Sequence, residues 1–484
     1  MESAGFCMLG LVGVLLIGTG LPAFAVLIGV AVAFSVLGVV TGAVPLNLLS
    51  ALPARLIGLL EYDLLQALPL YVLMGALLNR LPLADILFRA GNAAFARTRA
   101  APLLSALGLG AMLAPMNGSV GASVATLSRI LQPRLRSHDV AAADGLAVVC
   151  VASTFGVVVP PSLVLILLGD AMLRAHTEAV NATGQMVRII NTQDVFRGAL
   201  VPAAIFLLLC LLLAWWTGRR EPSRGSAPIA PVPLGWRNRL IALGTAGFIV
   251  LLLAAVVVGY VYAVEAAAAG TMTLLLAGLV TRTLTAEIMG RALRDTMAVT
   301  GALFALLLAA TTFTLVVRAF GTDRVLAELV AAIPGGPVAV VLAGLLALGL
   351  CAFVLDAFEI IFVVIPLLMP PLLMRAPDAV WVAVLALLAL QASFLVPPVG
   401  YAVMMARTAG GEGVALPPLI RALLPFLLAQ MLVLGLTVAI PALTHVAAAK
   451  LESEGRAKPA LSDEEVRKAF QKLASPPLPD EPPK

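Results

Sequence analysis

The sequence predicts an all-α polytopic membrane protein in two related halves, each carrying interrupted helices. Three observations predict it. Of 484 residues, 61% are hydrophobic and 12% are charged, where a soluble domain carries roughly 25% charged residues. Long Leu- and Ala-rich runs recur from end to end, about ten to twelve of them at the roughly 20 residues a 30 Å bilayer core requires. The same kind of polar interruption occurs once in each half, at matching spacing. Lipid cannot hydrogen-bond a backbone, so only helices or closed barrels span it. The runs are continuous and do not alternate, which excludes barrel strands.

Taken in order, apolar stretches fall at 5–20, 23–42, 64–79, 101–115, 141–158, 161–174 and 197–217 in the first half. The second half has them at 239–258, 262–281, 298–317, 337–355, 358–373, 379–396 and 420–444. Several are too short to cross alone. The pieces 46–60, 81–99 and 283–297 mix Arg and Asp with apolar residues and predict helices lying along the interface or bracing others. The Pro-, Ser- and Arg-rich stretch 218–236 predicts an exposed linker. From Lys450 the composition turns polar; Ser462 and Glu465 have capping-box spacing, which predicts a short helix around 463–474. The closing Pro-rich segment predicts disorder.

The net charge of +5 is distributed tellingly. All five Lys lie at or after position 450, so every cation of the apolar region is Arg. These cluster in short connections: Arg80, Arg89, Arg97 and Arg99; Arg129, Arg134 and Arg136; Arg219, Arg220, Arg224, Arg237 and Arg239; Arg282, Arg291 and Arg294. Cytoplasmic loops carry such an excess, and two spans between the last two clusters allow both to lie inside. No continuous basic face exists, so a nucleic-acid partner is not expected. Cys7, Cys150, Cys210 and Cys351 sit singly in apolar segments and predict neither disulfides nor a metal site. His138, His176 and His445 are scattered, and no HExxH or Walker motif occurs. These absences argue against a metalloprotease and against ATP-driven transport. No nucleophile–base constellation is visible, so no enzyme and no cofactor are expected. The apolar run from Gly5 has no basic residue before it, and predicts a first span rather than a cleaved signal.

The informative feature is the internal echo. Ala114 to Ser119 interrupts one apolar stretch, and Ser153-Thr154-Phe155-Gly156 leads to Pro160-Pro161. In the second half Leu355 to Glu359 interrupts an apolar stretch, and Gln391-Ala392-Ser393 leads to Pro397-Pro398-Val399-Gly400. Asn117 precedes Pro160 by 43 residues, and Asp356 precedes Pro397 by 41. Paired interruptions in corresponding halves point to a transporter binding site. Proline suits the first position of a helix, where no donor is needed. The two Pro pairs therefore predict half-helices starting inside the membrane, with unwound backbone around Gly156 and Leu395. Freed carbonyls there can coordinate a cation, and helix N-termini can face an anion.

Asn117, Gly118 and Ser119 suit a hairpin tip, with Gly permitting the reversal. Ser153, Thr154 and Ser393 add oxygens of the kind hard cations prefer; the plainer alternative is that small residues simply let helices pack closely. Asp356 and Glu359, three apart, are acidic groups among apolar spans and so functional candidates. The competing reading pairs Glu359 with an Arg. Glu265 is expected to brace an interface, and Asp170 and Arg174 to form an i, i+4 pair near a helix end.

At these residues the chain resembles the large membrane subunit of the tripartite ATP-independent periplasmic transporters. Its hairpin motif, Pro-x-x-Gly-Ser, is matched by Pro115 to Ser119; its Gly-x-x-x-Pro-Pro-Ser by Gly156 to Ser162; its Pro-Pro-x-Gly by Pro397 to Gly400. Asn117 departs from the commoner Ser, and the loops 176–194 and 218–236 are long. The resemblance covers roughly residues 5–445. The segments Phe353 to Pro366 and Leu390 to Leu395 are most similar to the branch labelled mannitol/chloroaromatic-type. The resemblance implies inverted repeats with two re-entrant helical hairpins and discontinuous helices, in an elevator-type ion-transporter fold.

It further implies a division into scaffold and first arm (1–100), first transport repeat (101–217, tip near 117, break near 156–161) and linker (218–236). Second scaffold and arm (237–297), second transport repeat (298–449, tip near 356, break near 395–400) and polar tail (450–484) complete it. A multi-pass protein of the bacterial inner membrane is implied, importing a small organic anion, usually a carboxylate, on the sodium gradient. The implied partners are a small four-helix membrane subunit and a periplasmic solute-binding protein. Sodium is the implied coupling ion, at Asn117, Gly118, Ser119, Ser153, Thr154, Gly156, Asp356, Glu359 and Ser393. Ser123, Pro160, Pro161, Gln391, Pro397, Pro398 and Gly400 are the expected substrate and helix-break positions. A stand-alone symporter of the same fold is the alternative; neighbouring genes for the two partners would distinguish it.

Overall fold

A computed structural model describes residues 4–42, 44, 50–60, 68–117, 119–160, 162–184, 187–220, 235–409 and 413–447. The expected tail helix at 463–474, most of the 218–236 linker, Gly118 and Pro161 lie outside the described residues. Among the described residues the regular structure is entirely helical. The first half contains α1 (Ala4–Thr19), α2 (Ala23–Val40), α3 (Leu52–Leu60), α4 (Leu68–Arg80), α5 (Leu83–Ala94), α6 (Ala101–Leu113), α7 (Val120–Ser137), α8 (Ala142–Val158), α9 (Leu163–Thr183) and α10 (Thr192–Arg220). The second contains α11 (Trp236–Val258), α12 (Ala263–Val280), α13 (Ala286–Ala319), α14 (Thr322–Ala332), α15 (Pro337–Cys351), α16 (Ala357–Arg375), α17 (Ala379–Leu395), α18 (Tyr401–Thr408) and α19 (Leu416–Ala439).

Eight helices or helix runs are long and apolar enough to cross a membrane, or nine if the bent α4–α5 pair is one span. That is fewer than the apolar stretches in the sequence. The difference lies in α8 and α9, which count as one run, and in α1, α6, α15 and α17, which are apolar but at most 17 residues long, and at 1.5 Å per residue fall short of a roughly 30 Å core. α6 and α15 are instead the first arms of two hairpins, turning back at Ala114–Asn117 and at Leu355–Asp356.

The two halves repeat one order of elements: helix, turn, helix, then a helix ended by a Pro pair and a further helix. The centre is made by α8 and α17, which pack on each other. Of α17, every residue except Val380 is buried. A helix apolar on all faces is at home only inside a protein or lipid, and these two are enclosed by α6, α7, α15, α18 and α19. The periphery differs in kind. α11 and α12 leave Leu243, Val250, Leu251, Leu276 and Val280 exposed, the apolar surface a lipid-facing helix should present. α4 bends 62° into α5 where Pro82 caps α5, since proline begins a helix and cannot continue one.

Several local expectations change. The piece 283–297 is not a separate interfacial helix: α13 runs unbroken for 34 residues through the expected 297/298 boundary, because nothing between Ala286 and Ala319 breaks a helix. α10 likewise continues to Arg220, past the expected start of the linker. The 176–194 loop is largely the end of α9, closed by Gly184 in the left-handed conformation. Asp170 and Arg174 do pair, at 3.1 Å, but within the body of α9. Glu265 accepts the Tyr262 backbone N–H at 2.9 Å and caps α12.

Candidate functional site

The first hairpin turns through a 3-10 segment, Ala114–Asn117. Ser119 caps α7 by accepting the Ala122 N–H at 3.1 Å. Ser123 donates to the Ser119 carbonyl at 2.9 Å, which closes the turn. Asn117 is buried, and its Oδ1 accepts the Asn79 amide of α4 at 2.7 Å. Asn117 Nδ2 and Asn79 Oδ1 have no hydrogen-bond partner among the described residues. Gly75, one turn earlier on α4, lies directly on the Met116 carbonyl, leaving no room for a Cβ.

The first break differs from expectation. α8 stays helical through Ser153, Thr154 and Gly156 and ends at Val158; Val159 is extended, Pro160 is buried, and α9 starts only at Leu163. Pro160 therefore lies within the break and not at the first helical position. The start belongs to Ser162, whose side chain accepts the Leu165 N–H at 3.1 Å; a hydroxyl cap satisfies an orphan donor, which proline cannot. Gly156 is required for packing: a Cβ there would stand 2.6 Å from the Ala114 carbonyl of the hairpin.

The second half shows the same design. α17 ends at Leu395, Val396 is extended, and α18 starts at Tyr401 after Gly400. Pro397 and Pro398, joined by a cis peptide bond, again lie in the break. Gly400 donates to the Val396 carbonyl at 2.7 Å, and a Cβ on it would meet the Phe394 and Val396 carbonyls at 2.6 and 2.7 Å. Backbone alone fits there.

The central helices are joined by a polar contact. Gln391, fully buried on α17, places Nε2 at 3.4 Å from both the carbonyl and the hydroxyl oxygen of Thr154 on α8. Its Oε1 has no partner among the described residues. Ser153, Thr154 and Ser393 donate their hydroxyl protons to Val149, Val151 and Ala389 carbonyls at 2.7, 2.8 and 2.9 Å. With those protons spent, what remains on each hydroxyl is acceptor capacity. Native proteins leave few buried polar atoms unpaired. Here three amide atoms, from Asn79, Asn117 and Gln391, are unpaired at or beside the breaks, and two of them are oxygens.

Asp356 and Glu359 form a capping box at the start of α16. Asp356 Oδ1 accepts the Ala357 N–H at 2.7 Å, and Glu359 Oε2 accepts the Asp356 N–H at 3.0 Å. No Arg pairs with either among the described residues, so the local ion-pair reading of Glu359 falls. A π-helical turn, Ile360–Val364, follows them; such turns recur at functional sites. Tyr401 joins the halves. Its ring packs on Phe394 across the break at 5.9 Å, and its hydroxyl stands over Gly121 on the first hairpin. Among the described residues Asn117 and Asp356 share no hydrogen bond. Asn79 and Tyr401 went unnoticed in the sequence. Asn79 had a signal, an amide within an apolar run; Tyr401 had only its place beside Gly400.

Two interlocked broken helices with oxygen-rich ends inside a helical membrane bundle define a transport protein. The chain belongs to the family described as tripartite ATP-independent periplasmic transporter, DctM component, which matches residues 9–443. It is similar to the sialic acid TRAP transporter large permease protein SiaM of Vibrio cholerae, 24% identical over 89% of this chain and 95% of that protein. It is also similar to the C4-dicarboxylate TRAP transporter large permease protein DctM of Rhodobacter capsulatus, 23% identical over 78% of this chain and 86% of that one. Among solved structures, the Alcanivorax borkumensis YdaH transporter, described as having an unusual topology, shares the fold. Its TM-score is 0.56 at 14% identity, over 82% of this chain and 88% of that chain. The chain is thus a multi-pass permease subunit of the bacterial inner membrane and not an enzyme. The mannitol/chloroaromatic label finds no support among these relatives.

Proposed function

We propose that this permease subunit imports a small organic anion, a carboxylate, on the sodium gradient, receiving it from a periplasmic solute-binding protein and working beside a small four-helix membrane subunit. The single observation that carries the reading is the meeting of the two broken helices at Thr154 and Gln391, with an acceptor oxygen left over. Sodium suits this donor set: hydroxyl oxygens whose protons are spent, the Gln391 Oε1, and the Asp356 and Glu359 carboxylates. All are hard oxygens. The anion suits the other groups. The starts of α9 and α18 carry the positive end of the helix dipole, and the Asn117 Nδ2 is a buried donor without a partner. The relatives named for sialic acid and C4-dicarboxylates make a carboxylate the natural cargo.

An elevator movement fits the placement of α4. It meets the first hairpin at the Met116 carbonyl, which seats on Gly75, and at the Asn79–Asn117 bond. Uptake by vesicles containing this chain and both partners tests the reading. Accumulation of a carboxylate that stops when the sodium gradient is collapsed is expected. Accumulation unchanged without sodium removes the coupling. Accumulation unchanged without the binding protein and the small subunit makes the chain a stand-alone symporter.

A further inference from the structure

A cavity of about 630 Å³ opens between α5, α6 and α11, away from the broken helices. Its wall is apolar, built from residues such as Leu87, Leu104, Met112 and Leu243, with Ser105 and Arg239 as polar members. Ser105 has spent its proton on the Ala101 carbonyl at 2.7 Å. Arg239 is exposed and has no ion pair among the described residues.

The surrounding charge is one-sided. Arg97 and Arg99 lie in the connection from α5 to α6, both exposed, and Arg237 lies on the first turn of α11. Neither α6 nor α11 contains an acidic residue. Basic clusters of this kind face the cytoplasmic leaflet, whose surface is anionic.

We propose that the cavity between α5, α6 and α11 binds an anionic phospholipid, its acyl chain against the apolar wall and its headgroup on Arg239, Arg97 and Arg99. The exposed Arg239 at its mouth suits an anionic headgroup, and the apolar wall suits an acyl chain. The carboxylate cargo is a poor fit, since the wall supplies no buried donor. The lipid would touch α6, the first arm of the first hairpin, and also α5 and α11 outside it. It therefore sits where movement of that hairpin would be felt. The inference stands independently of sodium coupling and of the cargo.

Native mass spectrometry of the full-length chain, extracted from bilayers of phosphatidylglycerol and phosphatidylcholine with identical acyl chains, tests it. The wild-type chain should retain phosphatidylglycerol over phosphatidylcholine by at least about fivefold, the factor one basic residue supplies at an anionic surface. The R97Q/R99Q/R239Q variant should lose that preference. Gly108→Leu, whose Cβ meets no other atom within 4 Å, fills the cavity without a clash and should lower retention of both lipids. Equal retention by the wild-type chain, or a preference untouched by all four substitutions, overturns the proposal. So does displacement of the lipid by a co-expressed membrane subunit, which would assign the cavity to a protein helix.

Discussion

Asn79 donates its side-chain amide to Asn117 Oδ1 across 2.7 Å, while the second amide atom of each residue is buried without a partner among the described residues. The bond crosses from α4 to the turn of the first hairpin. It is a directional contact beside the close approach of Gly75 to the Met116 carbonyl, which makes it the natural place to probe how α4 holds the hairpin.

Removing one partner should cost more than removing both. Asn79→Ala leaves the Asn117 amide wholly unpaired, and an unsatisfied buried group costs about 1–3 kcal/mol. Asn79→Ala with Asn117→Ala removes both ends and should recover part of that loss. Thermal unfolding of the four forms in detergent gives the coupling directly. Strict additivity would mean that the bond contributes nothing.

Gly156 and Gly75 should tolerate no side chain. Each faces a main-chain carbonyl of the first hairpin, Ala114 and Met116 respectively, and a carbonyl in a tight turn has nowhere to retreat. Gly156→Ala and Gly75→Ala should each destabilise by about 1–3 kcal/mol and depress uptake. Gly108→Ala, a glycine of α6 facing open space, is the control and should be neutral or slightly stabilising. Equal behaviour of the three variants would refute the packing assignment.

Glu359→Gln separates charge from architecture. Glutamine keeps the oxygen that accepts the Asp356 N–H, since Glu and Gln serve equally in a capping box. Unfolding should therefore change little. The sodium concentration for half-maximal uptake should rise by roughly tenfold, corresponding to about 1.4 kcal/mol. A lowered melting point with unchanged sodium dependence would reduce Glu359 to a helix cap.

Tyr401→Phe deletes the hydroxyl over Gly121 while leaving the ring on Phe394. Uptake should fall severalfold, with stability lowered by no more than about 1–2 kcal/mol, the range for one hydrogen-bonding group. Uptake equal to wild type would show that the Tyr401 hydroxyl plays no part in transport.

What was readable in the sequence follows from what proline, glycine and acidic residues do to a helix in lipid. Both interruptions, the Pro pairs and the exceptional Asp356 and Glu359 stand out because an apolar background makes each one costly. Their three-dimensional roles were less accessible. Gly156 and Leu395 looked like unwound backbone, yet α8 and α17 hold their hydrogen bonds past or up to those residues, and the breaks begin only where the following prolines force extended backbone. The hydroxyl cap at Ser162 outcompeted the Pro pair as the helix start. Residues 283–319 read as two pieces because charge changes along them, while backbone propensity does not. Asn79 and Tyr401 matter through partners 38 residues and more away in the chain, and no local pattern announces such pairings.

The central claim is that the two broken helices together hold the coupling cation. Equilibrium binding of radiolabelled sodium to the purified chain tests it most directly. Saturable binding is predicted for the wild-type chain, weakened by roughly tenfold or more when Thr154 and Gln391 are replaced by Val and Leu, and equally when Asp356 is replaced by Asn. Absence of saturable sodium binding, or binding indifferent to changes in both halves, would contradict the account.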